Sequence, residues 1–392
     1  MQYYFTEIEN YIMKTQILEY PEDIQDKVIY SLQDGKRLRP ILCIIFSGLE
    51  NNNLESLEKY KEKKLFHSIE INISNDEKKK IIYSVAAFIE HIHCLSLILD
   101  DLPEMDNDSM RRGKQSFHSK YNIDYTNFFI YYMFNSLSLS INSILDTYID
   151  ININSNLNPK NSSILNNNIK FANKIKKLLS VNLNMLLDGQ FNDLERQDLD
   201  KPPSKIIQEN TVEFSKSNES NNEENSIDSI STIVPSNFKD EINIILNFLI
   251  SVVFEEKTEI SESIINNIEL NMKKTSSLFN LSICSGFLLQ IWLKKYNLES
   301  YNIIYEKLKI WSNILGYMFQ ISDDILDEDE DNAKGNPNIC NVIGKENTSI
   351  LLRNGCKWLI DSITKINLDC NSKIFFNLYA IKEIIDKILK RI

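Results

Sequence analysis

Two groups of carboxylates are placed where they could do chemistry. The first lies in Leu97-Ile98-Leu99-Asp100-Asp101-Leu102-Pro103-Glu104-Met105-Asp106, where an apolar run ends abruptly in acids. Asp100 and Asp106 are six apart, which on a regular helix sets them about 240° apart around the axis. Pro103 must disturb that helix, so a turn can bring the two carboxylates together. The apolar approach argues against a merely solvated acidic end, because it drives the acids to the end of a buried helix. The second group is Phe319-Gln320-Ile321-Ser322-Asp323-Asp324-Ile325-Leu326-Asp327. Asp323 and Asp327 are i and i+4, so they share a helical face. Like charges repel there, and a cation between them relieves the repulsion. Carboxylate oxygens with positions left for water and phosphate are what Mg²⁺ prefers. A calcium loop does not fit the run Asp327-x-Asp329-x-Asp331. Asn332 stands where that loop needs glycine, and Asn338 cannot be its bidentate carboxylate.

Cations accompany the acids. Arg111-Arg112-Gly113-Lys114 follows the first group, and planar guanidinium forks suit phosphate oxygens. Asp34-Gly35-Lys36-Arg37-Leu38-Arg39-Pro40 sets three cations ahead of an apolar helix; alone, that is a common basic helix start. Lys273-Lys274-Thr275-Ser276-Ser277 reads as the head of another helix, where phosphate binds readily or hydroxyls simply cap. Gly189-Gln190 with Asp193-Leu194 is the least specific cluster. Two carboxylate groups facing each other, ringed by cations, describe a site for diphosphate-bearing substrates. The matching reaction class is diphosphate departure assisted by metal ions acting as Lewis acids.

The elements that must position these residues are helices. Glycine and proline number only 9 and 8 in 392 residues, and strand signals are weak. The apolar periodicity predicts helices over 41–49, 81–99, 128–148, 169–187, 278–292, 303–324 and 374–389. Several are apolar on more than one face, as central helices of a large bundle must be. The stretch 125–145 has no charge and is long enough to span a bilayer. Its many Asn and Ser residues would be costly against lipid, so it is expected to be a buried helix, with no transmembrane segment in the chain.

Three polar stretches, near 51–80, 151–168 and 201–239, read as surface insertions in a single domain over 1–392. The last is too polar to offset its ordering entropy. The segment 240–254 regains apolar periodicity and is read as an extra helix. The net charge of −12 argues against a nucleic-acid partner. Six scattered cysteines without a CxxC pair suit free, mostly buried thiols in a reducing compartment. The mixed, acidic stretch 1–22 is unlike a signal peptide, and the expected location is cytoplasmic.

DDLPEMD followed by RRGK, the later FQISDDILD, and GKRLRP near the start together resemble the trans-isoprenyl (polyprenyl) diphosphate synthases. KTSSLF and GQFNDL also match, and the motifs stand in the family's order from about Asp34 onward. The DDxxxxD spacing is similar to that of the short-chain branch, which includes farnesyl and geranylgeranyl diphosphate synthases. The resemblance implies an all-α fold around a deep central cavity, a homodimer, and three Mg²⁺ ions. It implies two substrates, isopentenyl diphosphate and an allylic diphosphate. By position, Asp100, Asp106, Asp323 and Asp327 correspond to metal ligands, with Asp101 and Asp324 flanking them. Lys36, Arg39, His93 and Arg112 correspond to the isopentenyl diphosphate clamp. Arg111, Lys274, Thr275 and Gln320 correspond to contacts with the allylic substrate. Leu95 and Ser96 stand where relatives set product length, and their small bulk points to geranylgeranyl diphosphate, with farnesyl diphosphate second.

The chain departs from the family pattern in places. Leu99 stands where short-chain members often have His, Ser109 where Asp is frequent, and Gln115 where Pro is frequent. Lys334-Gly335-Asn336 is displaced and shortened, and the helix at 128–145 lacks Gly-Asp. Two rival readings are a class I terpene cyclase and a non-catalytic regulatory subunit. A cyclase needs no second diphosphate clamp, and a regulatory subunit is free to lose carboxylates that this chain keeps.

Overall fold

The computed structural model describes residues 1–49, 75–154, 162–199, 262–334, 338–370 and 376–392, with residues 242, 243, 246 and 374. Helices dominate it. They are α1 (Gln2–Tyr11), α2 (Glu22–Leu32), α3 (Leu38–Phe46), α4 (Asn75–Asp100), α5 (Phe117–Tyr121), α6 (Ile123–Asn154) and α7 (Ser162–Leu199). After the long insertion come α8 (Glu262–Asn271), α9 (Ser277–Leu293), α10 (Asn302–Leu326), α11 (Glu328–Lys334), α12 (Cys340–Ile343), α13 (Lys345–Asp369) and α14 (Leu378–Leu389). Among the described residues the strands are one two-residue pair, Met110–Arg111 against Lys114–Gln115.

α9 is the axis of the bundle. It has no charged residue, and Ser277 through Trp292 are all buried. A helix that is apolar all round has to be covered on every side, and α9 is packed by α3, α4, α7 and α10. Each fully buried Leu, Ile or Phe there contributes roughly 1.5–3 kcal/mol. Two of its polar groups are matched within the core: Asn280 Nδ2 donates to Ser312 Oγ at 3.0 Å, and the Trp292 indole Nε1 donates to Asn168 Oδ1 at 2.8 Å. α10 is amphipathic and lies between α9 and α13. α14 closes the bundle with a stripe of Ile381, Ile384, Ile385 and Ile388, all buried.

The helices predicted from periodicity all lie on observed ones, with shifted ends. The last begins at Leu378, because Asn377 caps it by accepting from Ala380 N at 3.1 Å. Three insertion boundaries move inward: residues 75–80 already belong to α4, and 151–154 and 162–168 extend α6 and α7. The rest of those insertions, all of 201–239 and most of 240–254 lie outside the described residues; Ile242, Asn243 and Leu246 are helical. All six cysteines are free and buried.

One expectation is corrected. By length and composition three helices could cross a membrane, Asp76–Asp100, Ile123–Asp146 and Ile264–Leu293. The first and third are 89% and 94% buried, but the second only 33%. The uncharged 125–145 stretch is therefore not a buried helix. Its Phe128, Tyr131 and Leu139 are exposed on one face, while Phe129, Met133 and Leu137 on the other pack into the core.

Candidate active site

α4 delivers the first acids. It ends at Asp100, and the chain folds back over the following six residues, so that Asp106 N donates to Asp100 O at 2.9 Å. Pro103 thus permits the turn inferred from the sequence. A hairpin follows, with Arg112 (φ 53°) and Gly113 (φ 77°) as its two-residue loop. Positive φ at both positions is the turn that suits a tight hairpin. Arg111, on the strand, is ion-paired with buried Asp101 and reaches Asp108 at 3.6 Å. The structure therefore places Asp101 and Arg111 on each other, as a brace behind Asp100. Arg112 Nη1 donates to Gln33 O at 3.1 Å, facing the loop before α3.

That loop is fixed from beneath. Arg37, in left-handed backbone (φ 53°), is buried between Glu9 and Glu90. A side chain at Gly35 would meet Glu90 Oε1 at 2.9 Å. Arg37 is thus a positioning residue, which leaves Lys36 exposed and turns Arg39 inward. Arg39 Nη1 donates to His93 Nε2 at 3.1 Å, and its guanidinium lies 4.9 Å from the Phe279 ring. Since arginine only donates, Nε2 is the bare nitrogen and the ring proton sits on Nδ1. Burial, then the charges of Arg39 and Arg112, hold His93 well below its ordinary pKa. Burial brings Arg39 itself down to about 10, opposed by Glu90 and Asp323. Arg39, His93 and Arg112 are thus gathered as expected, with Lys36 near enough to act on Asp323.

α10 delivers the second acids at its last turn, and Asp327 is its C-cap residue. Burial raises the Asp323 carboxyl; Arg391 and Lys36 oppose the rise, and Asp327 adds to it. Arg391 pairs with Asp323, donates to Ser322 Oγ at 2.9 Å, and lies 4.9 Å from the Phe319 ring. Asp324 is turned away: Oδ2 accepts from Ile339 N at 3.1 Å and Oδ1 from Gln320 Nε2 at 2.8 Å. Burial raises its pKa to about 6. Its role here is to anchor the chain ahead of α12.

The Lys-Thr cluster is not a helix start. Met272–Ser276 is a π-helical turn within a continuous helix joining α8 to α9, and such bulges frequently occur at functional sites. It presents Lys274 and Thr275 in opposite service. Lys274 Nζ lies 3.3 Å from Asp100 Oδ1. Thr275 Oγ1 donates to Gln320 Oε1 at 2.8 Å, and Gln320 in turn holds Asp324. One turn of chain therefore touches the first acid cluster directly and the second through Gln320. α7 comes close beside it: a Cβ on Gly189 would meet Lys274 Cγ at 2.8 Å. The neighbouring Gln190 is buried with neither amide atom hydrogen-bonded. Arg391 and the bracing role of Arg37 were not found from sequence, and Gln190 was singled out there only within the least specific cluster.

Leu95 and Ser96 are buried one and a half turns before Asp100, and Ser96 Oγ donates to His93 O at 2.8 Å. A cavity of about 620 Å³ lies farther down α4, against α6. Among the described residues no three His, Cys, Asp or Glu side chains converge on one point. The donors nevertheless fit Mg²⁺, which takes one or two carboxylates and completes its shell with water and phosphate oxygens. Asp100 and Asp323 each already face a cation, Lys274 and Arg391.

Residues 21–212 match the polyprenyl synthetase family model. Over that stretch, just under half of its length, the chain is similar to polyprenyl synthetases. Among curated relatives it is 37% identical over 105 residues to a geranylgeranyl diphosphate synthase of Cyanophora paradoxa, covering 26% of this chain and 27% of that protein. It is 35% identical over 109 residues to a chloroplastic geranylgeranyl pyrophosphate synthase of Capsicum annuum, covering 28% and 23%. The similar stretch thus spans about a quarter of those relatives. Among solved structures, a geranyltransferase from Legionella pneumophila aligns with TM-score 0.58 at 18% identity, over 100% of this chain and 95% of that one. A Helicobacter pylori geranyltransferase, complexed with magnesium and isoprenyl diphosphate, aligns with TM-score 0.53 at 16% identity, over 99% and 96%. These likenesses show the shared all-α fold.

Proposed function

We propose that the chain is a short-chain trans-prenyltransferase of the polyprenyl synthetase family, condensing isopentenyl diphosphate with an allylic diphosphate. The observation that carries the reading is the π turn, whose Lys274 meets the first acid cluster and whose Thr275 reaches the second through Gln320. Asp100, Asp106, Asp323 and Asp327 would hold Mg²⁺, three ions per site by resemblance, which would supply Lewis-acid pull on the departing diphosphate. Lys274, with Thr275, Gln320 and Gln190, lines the allylic end. Lys36, Arg39 and Arg112 neutralise the diphosphate of isopentenyl diphosphate, and neutral His93 offers it the Nδ1 proton. The allylic carbon–oxygen bond breaks with its electron pair leaving on diphosphate. The isopentenyl double bond attacks the carbocation, and a proton then passes to the departing diphosphate. The protein's share is alignment of the two carbons, charge stabilisation and exclusion of water.

The modest bulk of Leu95 and Ser96 and the names of the relatives favour geranylgeranyl diphosphate as product, with farnesyl diphosphate the alternative. The gathered Arg39, His93 and Arg112 favour a synthase over a cyclase, since they form a second anion site. A second copy of the chain on the exposed face of α6 is the assembly that would cover Phe128 and Tyr131. The test is labelled isopentenyl diphosphate with allylic primers of each length and the purified chain alone. Incorporation with Mg²⁺ is expected. A cyclic hydrocarbon made without isopentenyl diphosphate would favour the cyclase, and no turnover at all would reject the enzyme.

A further inference from the structure

A carboxylate lies beneath the gathered cations of the loop before α3. Glu90 stands on α4 one turn before His93, on the same helical face, and is buried. Its Oε1 accepts from Arg37 Nη1 at 3.0 Å. Glu9 of α1 holds the other edge of that guanidinium, its Oε2 accepting from Nε at 2.7 Å and its Oε1 from Nη2 at 3.3 Å. Two helices thus pin Arg37 on two edges. Gly35 packs on the join: a Cβ there would meet Arg37 Nη1 at 2.1 Å, Glu90 Oε1 at 2.9 Å and Arg112 Nη1 at 3.2 Å. Arg39 is close enough to Glu90 for that charge to oppose the fall that burial imposes on its pKa. Its Nε is buried without a hydrogen-bond partner among the described residues, a donor left for a ligand.

By Coulomb's law alone Glu90 works against an anion site, because a carboxylate repels an incoming diphosphate. The cations explain its place. Lys36, Arg37, Arg39 and Arg112 repel one another before any anion arrives. Arg37 is buried, and without its carboxylates it would be an uncompensated charge in the core. Its backbone is left-handed, φ 53°, a conformation costly for a residue with a side chain. The loop therefore keeps this shape only while the guanidinium is held. We infer that Glu90 is a positioning residue for the isopentenyl diphosphate site: with Glu9 it fixes Arg37, so that the loop presents Lys36 outward and Arg39 inward to the diphosphate. The inference rests on the synthase reading above and adds to it a residue that touches no substrate.

The sign of the effect separates positioning from simple attraction and repulsion. Glu90→Gln removes a negative charge. A residue acting only through its field would, on that change, let diphosphate bind more tightly. A residue acting by holding Arg37 would let it bind more weakly. Gly35→Ala makes the same distinction without changing any charge, because the new Cβ must displace the Arg37 nitrogen that Glu90 holds.

The experiment is the initial rate of isopentenyl diphosphate incorporation with Mg²⁺, giving a Michaelis constant for each substrate. Calorimetric binding of isopentenyl diphosphate replaces it for any variant that turns over too slowly. Glu90→Gln and Gly35→Ala are each expected to raise the constant for isopentenyl diphosphate about tenfold, as a misplaced binding group does, and to leave that for the allylic substrate unchanged. Glu90→Asp, which keeps the charge, recovers part of the loss. If Glu90→Gln does not fold, Arg37→Met combined with Glu90→Leu removes both buried charges together, which folds tolerate better than losing one. That double variant is expected to bind isopentenyl diphosphate as weakly as Gly35→Ala. Tighter or unchanged binding in any of these folded variants, or an equal rise in both Michaelis constants, would overturn the inference. A wild-type chain without incorporation would instead overturn the synthase reading, and this inference with it.

Discussion

Asp100 and Asp323 each face a cation across the site, Lys274 and Arg391, so a metal ion entering there competes with a charge already present. On the proposed reading, removing either carboxylate removes a metal donor and frees a cation at once. Asp100→Ala or Asp323→Ala is expected to lower turnover at least ~10³-fold, about 4 kcal/mol, with an unchanged circular dichroism spectrum; near-normal turnover would reject these residues as metal ligands. His91 makes a separate prediction. Burial pushes its pKa down to about 4, from about 6.5 in an unfolded chain. The unfolded state then binds the extra proton between those values, so stability falls as pH drops from 6.5 to 4, by about 3 kcal/mol in all. His91→Leu is expected to flatten that limb of the stability–pH curve, measured by urea unfolding. The carboxylates were legible because each cluster is contiguous in sequence. Arg391 was not, because nothing local ties it to Asp323, 68 residues away.

Among the elements, the π turn at Met272–Ser276 matters most. Its sequence is that of a polar helix cap, and the extra residue that makes it a bulge within a helix leaves no local mark. Only packing reveals it: α7 approaches closely enough that Gly189 has no room for a side chain. Gly189→Ala is expected to push the turn off and raise the Michaelis constant for the allylic substrate by ~10-fold, about 1.4 kcal/mol, in initial-rate assays. An unchanged constant would mean the turn does not place Lys274 and Thr275 for that substrate. The loop before α3 makes the complementary prediction. Arg39→Ala is expected to raise the Michaelis constant for isopentenyl diphosphate more than for the allylic substrate, and equal effects would reject its assignment. Helix α13 was missed from sequence although it covers α10. Its buried positions, such as Leu351, Leu352, Leu359 and Ile363, are interrupted by Lys, Asn and Asp that blur the period.

At the scale of the molecule, the bundle and its central helix were legible because α9 is apolar on every face, and no arrangement but enclosure satisfies it. α6 was read less well for the same reason in reverse. Its stretch 125–145 has no charge, which looks like burial, yet Phe128, Tyr131 and Leu139 are 76%, 72% and 64% exposed. Absence of charge reports that a face avoids water; it does not say whether the same chain or another covers it. Apolar residues grouped on one face mark interaction surfaces on soluble proteins, and aromatic rings carry much of the energy at such contacts. If a second copy supplies the cover, its own α6 meets this one about a two-fold axis, so a charge introduced once is buried twice. Tyr131→Glu is then expected to halve the mass found by light scattering at micromolar concentration, while Tyr131→Phe keeps the dimer. A Tyr131→Glu chain that stays dimeric would place the contact elsewhere, and a monomeric wild type would leave the face to another partner.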